Sequence, residues 1–279
     1  MIGLTFYGVR GSTPCHGEHT ARYGGNTSCI HVDIPGEPPL LFDLGTGLRY
    51  FGLRQPNDGS FRGNCLLTHL HWDHTQGLPF FTPLLRLGAE LDVYGPVQED
   101  GRSVEDVFSE TVTPPMFPIP ITALPGTVRF HDTEDADFFL GQVRVRSRIV
   151  PHVGPTLGYR ISWQGRTIAY LPDHQQPYDG SLGITPGALE LASGADLLIH
   201  DSQYTPEEFA VKNTWGHCTV EFALEVAIRA KVSNLVLFHH DPTRHDEAMD
   251  AQHHATVREA ARHGITVITA SEGLHLTIP

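Results

Sequence analysis

Cysteine is scarce in this chain: four residues (Cys15, Cys29, Cys65 and Cys218) are scattered through 279. That is too few and too dispersed for a disulfide framework at this length, so reduced thiols are expected. Long apolar runs are missing as well. No stretch approaches the roughly 18 to 20 uninterrupted apolar residues of a membrane span. The N-terminal stretch MIGLTFYGVRGS has no basic region leading into a long apolar segment, so no export signal is read and a cytoplasmic location is expected. Positive charge is also short. Nineteen Lys and Arg stand against 32 Asp and Glu, giving a formal net charge of −13. Such a balance argues against a large phosphate-neutralising surface, and against a long nucleic acid as the main partner. Repeats and low-complexity linkers are absent too.

What is present reads as an ordinary globular chain, 40% hydrophobic and 18% charged. Its length is enough for one large domain with a well-buried core. Short β-rich runs recur at 40–45, 65–69, 91–95, 143–150, 157–162, 167–171, 196–200, 235–239 and 265–269. Helical periodicity is clearest over 219–231, where Val220, Ala223, Leu224, Ala227 and Ile228 share one face and Thr219 is placed to cap. A second helix is expected over about 246–263, ending at Gly264. The Pro-rich segment TPPMFPIPITALP (113–125) cannot be a regular helix or a central strand, and reads as a surface loop or flap. Strands early and alternating strands and helices later predict an α/β chain, a four-layer αββα sandwich forming a single domain over 1–279.

The outstanding abundance is histidine, with 18 residues. In LLTHLHWDHTQG (66–77), His69, His71, Asp73 and His74 fall within six positions. On a strand, His69 and His71 would point to the same side, and a turn after Trp72 would bring Asp73 and His74 to the same point. Imidazole with carboxylate suits Zn²⁺, Mn²⁺ or Fe. Buried without compensation such a cluster is costly, and a cation makes it favourable.

The stretch THLHWDH resembles the metal-binding motif of the metallo-β-lactamase superfamily. Further motifs follow in the order that family would show: VPHVGPTLGYRI with His152, AYLPDHQ with Asp173, and LVLFHHDP with His239. The resemblance runs from FYGVRGSTP to LFHHDP. It implies two divalent metal ions, zinc foremost, with manganese or iron as alternatives. His69, His71 and His152 would hold one ion, Asp73, His74 and His239 the other, and Asp173 would bridge them. Taken alone, His152 and Asp173 read equally well as loop polarity, although each follows an apolar β run. His240 adjoins His239, and since strand neighbours face opposite ways only one can ligate; His239 is the choice here. His174, next to Asp173, is expected behind the ligands or on the surface.

Two ions about 3.5–4 Å apart can acidify a shared water and hold both the attacking and leaving oxygens of a phosphoryl centre. Phosphodiester hydrolysis by a metal-bridging hydroxide fits this, and thioester or lactone hydrolysis fits the same metals. The leaving group discriminates between them. DLLIHDSQYTPEE and WGHCTVEFALEVA resemble two motifs of the ribonuclease Z branch, which implies that Asp201 orients His217 as the acid protonating a departing alkoxide, with Asp73 completing the catalytic set. A positioned acid contributes about 10²–10⁴-fold. Without the resemblance, His217 is a residue at a helix start and Asp201 a turn former.

There is no long basic, Gly-rich insertion to serve as a tRNA-binding arm. The closer likeness is to small bacterial phosphodiesterases of the superfamily, whose N-terminal blocks GVRGSTP, RYGGNTSC and FDLGTGLR resemble. In the last block, Asp43 either holds a ligand histidine or simply shapes a turn. The expectation is a metal-dependent hydrolase (a phosphoric diester hydrolase) acting on a small anionic phosphodiester, cyclic phosphates included, with no membrane partner. A homodimer follows from the resemblance alone. A non-catalytic ligand-binding module is the reading of another class, and the full ligand set speaks against it. Cys15, His16, His19 and Cys29 could hold a separate structural zinc, though their spacing matches no standard pattern. Arg10, Arg22 and Arg160 could touch substrate phosphate or form structural ion pairs. Met116 and Phe117 could cap the pocket or pack on a second subunit.

Overall fold

The computed structural model describes residues 1–279. Its first half builds β1 (Ile2–Gly8), β2 (Cys29–Asp33), β3 (Leu40–Phe42), helix α1 (Leu48–Gly52), β4 (Arg62–Leu66), the short helix α2 (Trp72–Thr75), β5 (Glu90–Pro96), α3 (Val104–Thr111) and β6 (Thr127–Thr133). The second half adds β7 (Ala136–Leu140), β8 (Val143–Ile149), β9 (Leu157–Trp163), β10 (Arg166–Leu171), α4 (Pro186–Ala192), β11 (Leu197–Asp201), α5 (Pro206–Lys212), α6 (Val220–Ala230), β12 (Asn234–Phe238), α7 (Asp246–Ala260), β13 (Thr266–Thr269) and β14 (His275–Ile278). Two seven-stranded sheets result, ordered β14-β1-β2-β3-β4-β5-β6 and β13-β12-β11-β10-β9-β8-β7.

Strand period two decides which faces meet. Along β1, Ile2, Leu4 and Phe6 are buried while the alternate residues are partly exposed. Along β8, Val143, Val145 and Ser147 turn in and Arg144, Arg146 and Arg148 stay outside. The inward sets from both sheets form one apolar cluster that includes Phe42, Tyr170 and Phe238, with Phe42 stacked on Tyr170 at 4.4 Å between ring centroids. The outer faces are covered separately: α1 and α3 contribute Leu48, Phe51, Val104 and Phe108 on one side, and α4 and α6 contribute Leu191, Phe222, Ala223 and Ala227 on the other. The αββα layering is therefore as expected.

β3 to β6 run parallel, as do β10 to β13. Parallel neighbours need crossovers, so the helices lie outside and the carboxyl ends of several strands open toward one edge. The 219–231 helix is observed as α6, with the Thr219 hydroxyl accepting from the Phe222 amide. The later helix runs over 246–260 and tightens into a 3₁₀ turn (Ala261–His263) that stops at Gly264, whose φ of +71° few other residues adopt readily. The Pro-rich segment is irregular apart from a 3₁₀ turn at Ile121–Ala123. Strands β1, β2, β6, β7 and β14 lack a clear apolar run and are supplied by the fold.

A candidate dinuclear metal centre

The site grows from strand ends. Asp43 follows β3, His69 lies three residues beyond β4, and His152 three beyond β8. Asp173 lies two beyond β10, Asp201 closes β11, and His239 follows β12. One expectation needs correcting here. β4 stops at Leu66, so His69 and His71 sit on the connecting loop rather than on a strand, and Asp73 and His74 belong to α2, which starts at Trp72, rather than following a turn after it. Convergence comes from the loop turning directly into a helix: His71 is the extended residue before α2, and His69 Nε2 lies 2.8 Å from His71 Nδ1.

The structure brings all seven expected donors together. Imidazole nitrogens of His69, His71 and His152 form one group, and donor atoms of Asp73, His74 and His239 another, each within 4.8 Å of one another. Asp173 lies between them. Its Oδ1 is 3.9 Å from His69 Nε2 and 3.7 Å from His152 Nε2, while its Oδ2 is 3.1 Å from His74 Nε2 and 3.3 Å from His239 Nε2. His240 turns away, as expected of a neighbour: its Nε2 meets the Ala270 carbonyl at 3.0 Å. The reason differs from simple strand alternation, because His239 lies past the strand end with φ +58°.

A second tier of groups holds these donors. Asp43, fully buried at φ +59°, accepts from His74 Nδ1 at 2.8 Å, so it orients a ligand histidine rather than merely shaping a turn. Asp43 is fixed in turn by the Tyr170 hydroxyl at 2.7 Å and by the Thr68 amide and hydroxyl at 2.8 and 2.9 Å. His152 Nδ1 donates to the Gly216 carbonyl at 2.6 Å, and the Ser12 amide donates to Asp73 Oδ2 at 2.6 Å. Such partners fix the tautomer and the ring direction of a ligand.

The charge states suit metal binding. Burial pushes the pKa values of His69 and His71 below the ordinary imidazole range and that of His152 down to about 4, leaving neutral rings with lone pairs to give. Burial favours protonation of Asp73 and Asp173, but the surrounding imidazoles outweigh it and hold both carboxyls well below their usual range. His74 is opposite: despite complete burial, Asp73, Asp173 and Asp43 draw its pKa well up. Three carboxylates around one buried ring call for positive charge, which a divalent cation would supply. Asp173 Oδ2 is buried without a hydrogen-bond partner, as an oxygen reserved for a cation would be. The donor set thus fits bound divalent metal.

Asp201 and His217 meet beside this cluster. His217 Nδ1 lies 3.1 Å from Asp201 Oδ2, whose carboxylate also accepts from the amides of Gln203 at 2.9 Å and His174 at 3.3 Å. Burial pulls the His217 pKa down, but Asp201, through charge and hydrogen bond, more than offsets it and the value is raised. A cavity of about 410 Å³ opens over the centre and is lined by His71, Asp73, Asp173 and His217 together with Ser12, Leu70, Trp72 and Trp215.

His174 is buried, with Nδ1 2.8 Å from His200 Nε2, so it lies behind the site and not on the surface. Cys15, His16, His19 and Cys29 do not form a metal-binding group; Cys29 packs in the core, and His19 stacks on His245. The three arginines are structural. Arg10 is buried on the carbonyls of Gly24, Asp241 and Arg244, Arg22 pairs with Asp250, and Arg160 donates to the carbonyls of Leu191 and Ser193. Phe117 packs edge-on against Phe80, while Met116 is exposed. Sequence reasoning missed Thr68, Tyr170 and Ser12 as supports, and the two tryptophans of the cavity; only Trp72 carried a signal, standing inside the histidine motif.

Residues 62–240 match the family model described as "Beta-lactamase superfamily domain". The match spans more than half of the chain, and the chain belongs to this superfamily; it is a metal-dependent hydrolase. It is 28% identical over 289 residues to "Ribonuclease Z" of Synechococcus sp. (strain WH7803), covering 86% of this chain and 85% of that protein. A "Ribonuclease Z" of Archaeoglobus fulgidus is 27% identical over 289 residues, covering 86% and 87%. Among solved structures, the metallo-beta-lactamase fold protein YhfI from Bacillus subtilis superposes with TM-score 0.72 at 18% identity, over 99% of this chain and 100% of that one. A diphosphatase from the PhnP family gives TM-score 0.70 at 19% identity, over 100% and 98%. Both structures share the fold. No helix here is long and apolar enough to cross a membrane.

Proposed function

We propose that this chain is a dinuclear metal-dependent phosphodiesterase acting on a small phosphodiester, cyclic phosphates included. The observation that carries the reading is the Asp201–His217 pair, 3.1 Å apart, in which buried Asp201 backs His217 and His217 lines the same cavity as His71, Asp73 and Asp173. His69, His71, His152, Asp73, His74 and His239 would hold the ions with Asp173 between them. Zinc suits this nitrogen-rich set best, with manganese or iron as alternatives. Bound there, two divalent ions supply an acidified water and positive charge for the phosphoryl oxygens.

The remaining work belongs to the chain. Asp201 engages His217 Nδ1, which fixes the tautomer and leaves Nε2 to deliver a proton to the departing alkoxide. A thioester or lactone has less need of that proton. The small-substrate reading rests on the 410 Å³ cavity and on the net charge of −13, which opposes a long polyanion. RNA cleavage is the competing substrate class, suggested by the name that the two relatives carry.

The test compares His217→Ala and Asp201→Asn with the unaltered enzyme, all with metal content measured. For a diester with an alkyl leaving group, kcat should fall about 10²–10⁴-fold for His217→Ala. The loss should be smaller for bis(p-nitrophenyl) phosphate, whose leaving group needs no proton, with bound metal retained. Thioester turnover indifferent to His217→Ala would point to the acyl reading, and turnover confined to a tRNA precursor would overturn the small-substrate reading.

A further inference from the structure

Folding normally hides tryptophan, yet two of the three in this chain are left in the open. Trp163 is 7% exposed in the core between the sheets, whereas Trp72 is 66% and Trp215 64% exposed. Both exposed rings line the 410 Å³ cavity that holds His71, Asp73, Asp173 and His217. They come from opposite halves of the molecule. Trp72 is the first residue of α2, between the ligand positions His71 and Asp73, while Trp215 lies before α6, two residues from His217. Each is flanked by residues of the donor cluster or its supports: His71 and Asp73 beside Trp72, and Gly216, whose carbonyl meets His152 Nδ1 at 2.6 Å, beside Trp215.

Charge around the cavity sharpens the point. None of its lining residues is Lys or Arg. Lys212 approaches the Trp215 ring at 5.9 Å, but its ammonium is paired with Asp241 at 3.2 Å. Arg10, Arg22 and Arg160 are committed elsewhere. The parts of a substrate beyond the phosphate therefore meet Ser12, Leu70 and two indoles, and no cation. Stacking is the attraction these groups offer, and it selects flat aromatic surfaces.

We propose that Trp72 and Trp215 form a stacking seat for a nucleobase-sized aromatic group carried by the phosphodiester, so that the substrate class is a small nucleoside-type phosphodiester. This rests on the phosphodiesterase reading and narrows it.

Two matched experiments test it on the metal-loaded enzyme. In the first, adenosine 5′-monophosphate and ribose 5-phosphate are titrated while tryptophan fluorescence is followed. Because Trp163 is buried, quenching reports on the two cavity rings. The nucleotide should quench and the sugar phosphate should not, and Trp72→Phe and Trp215→Phe should each remove part of the signal. In the second, kcat/KM is compared for adenosine 2′,3′-cyclic phosphate and the base-free methyl riboside 2′,3′-cyclic phosphate, which share one ring and one leaving group. The ratio favouring adenosine should fall about tenfold in Trp72→Ala or Trp215→Ala, with phenylalanine restoring most of it. Equal quenching by both ligands, or a ratio unmoved by either variant, overturns the seat while leaving the hydrolytic reading intact. If neither diester is turned over, the hydrolytic reading falls, and the fluorescence comparison still decides whether an aromatic group is held.

Discussion

One carboxylate, Asp173, presents each of its oxygens to a different group of imidazoles, and the tolerance around it is small. His152 shows how closely a ligand can be pinned. Its ring donates to the Gly216 carbonyl, and Gly216 itself sits at φ +95° with no room for a side chain: a Cβ there would lie 2.4 Å from His152 Cε1 and Nδ1. Gly216→Ala should therefore both strain the backbone and displace His152. We expect apparent metal affinity to fall about 10–100-fold, measured by competition with a chromophoric chelator. Metal retained with unaltered affinity would show that the ring can give way without cost.

At the scale of elements, the strands set the frame and their ends carry the chemistry. The outer face of the second sheet shows how an element is held by charge where it lacks apolar cover. Asp137 on β7 accepts from Arg146 and Arg144 at 2.7–2.8 Å, with Arg148 at 3.3 Å. The hydrogen bonds from Arg146 and Arg144 outweigh partial burial and hold the Asp137 carboxyl well below its usual range. A depressed folded-state pKa contributes stability that is complete above the unfolded value of about 4 and is lost as pH falls toward the folded one. Asp137→Asn should therefore lower the unfolding midpoint at neutral pH, with the gap to the unaltered protein narrowing steadily below about pH 4. Denaturant titrations across pH measure this; a constant gap would mean that the carboxylate acts by shape and not by charge.

On the scale of the whole molecule, the proposed centre is also a cross-link. Its donors span residues 69 to 239 and come from the ends of strands in both sheets. A ligand that binds only the native state stabilises it by about 2.7 kcal/mol at one hundred times its Kd. For a chain of this size, chelation should thus lower Tm on the order of 5–10 °C per ion removed, with recovery on adding Zn²⁺. An unmoved melting curve would mean that the site is held by the protein alone.

Much of this was legible beforehand. The histidine motif was readable because ligand chemistry restricts the residue types, whereas His152, Asp173 and His239 were reached through the resemblance to the superfamily, since taken alone His152 and Asp173 read equally well as loop polarity. The α6 helix was readable from its period, and the layering from the order of elements. Strands such as β6 and β7 were not, since their half-exposed faces carry no continuous apolar pattern. The sequence by itself determined which side chains could ligate and titrate, because donor atoms and local periodicity are properties of single residues and short segments. Only the tertiary structure decided that Asp43 meets His74, that Arg10 is buried on backbone carbonyls, and that Trp72 and Trp215 share a cavity. Those facts depend on how two sheets stack and where their loops meet, and that geometry is set by contacts between residues far apart along the chain.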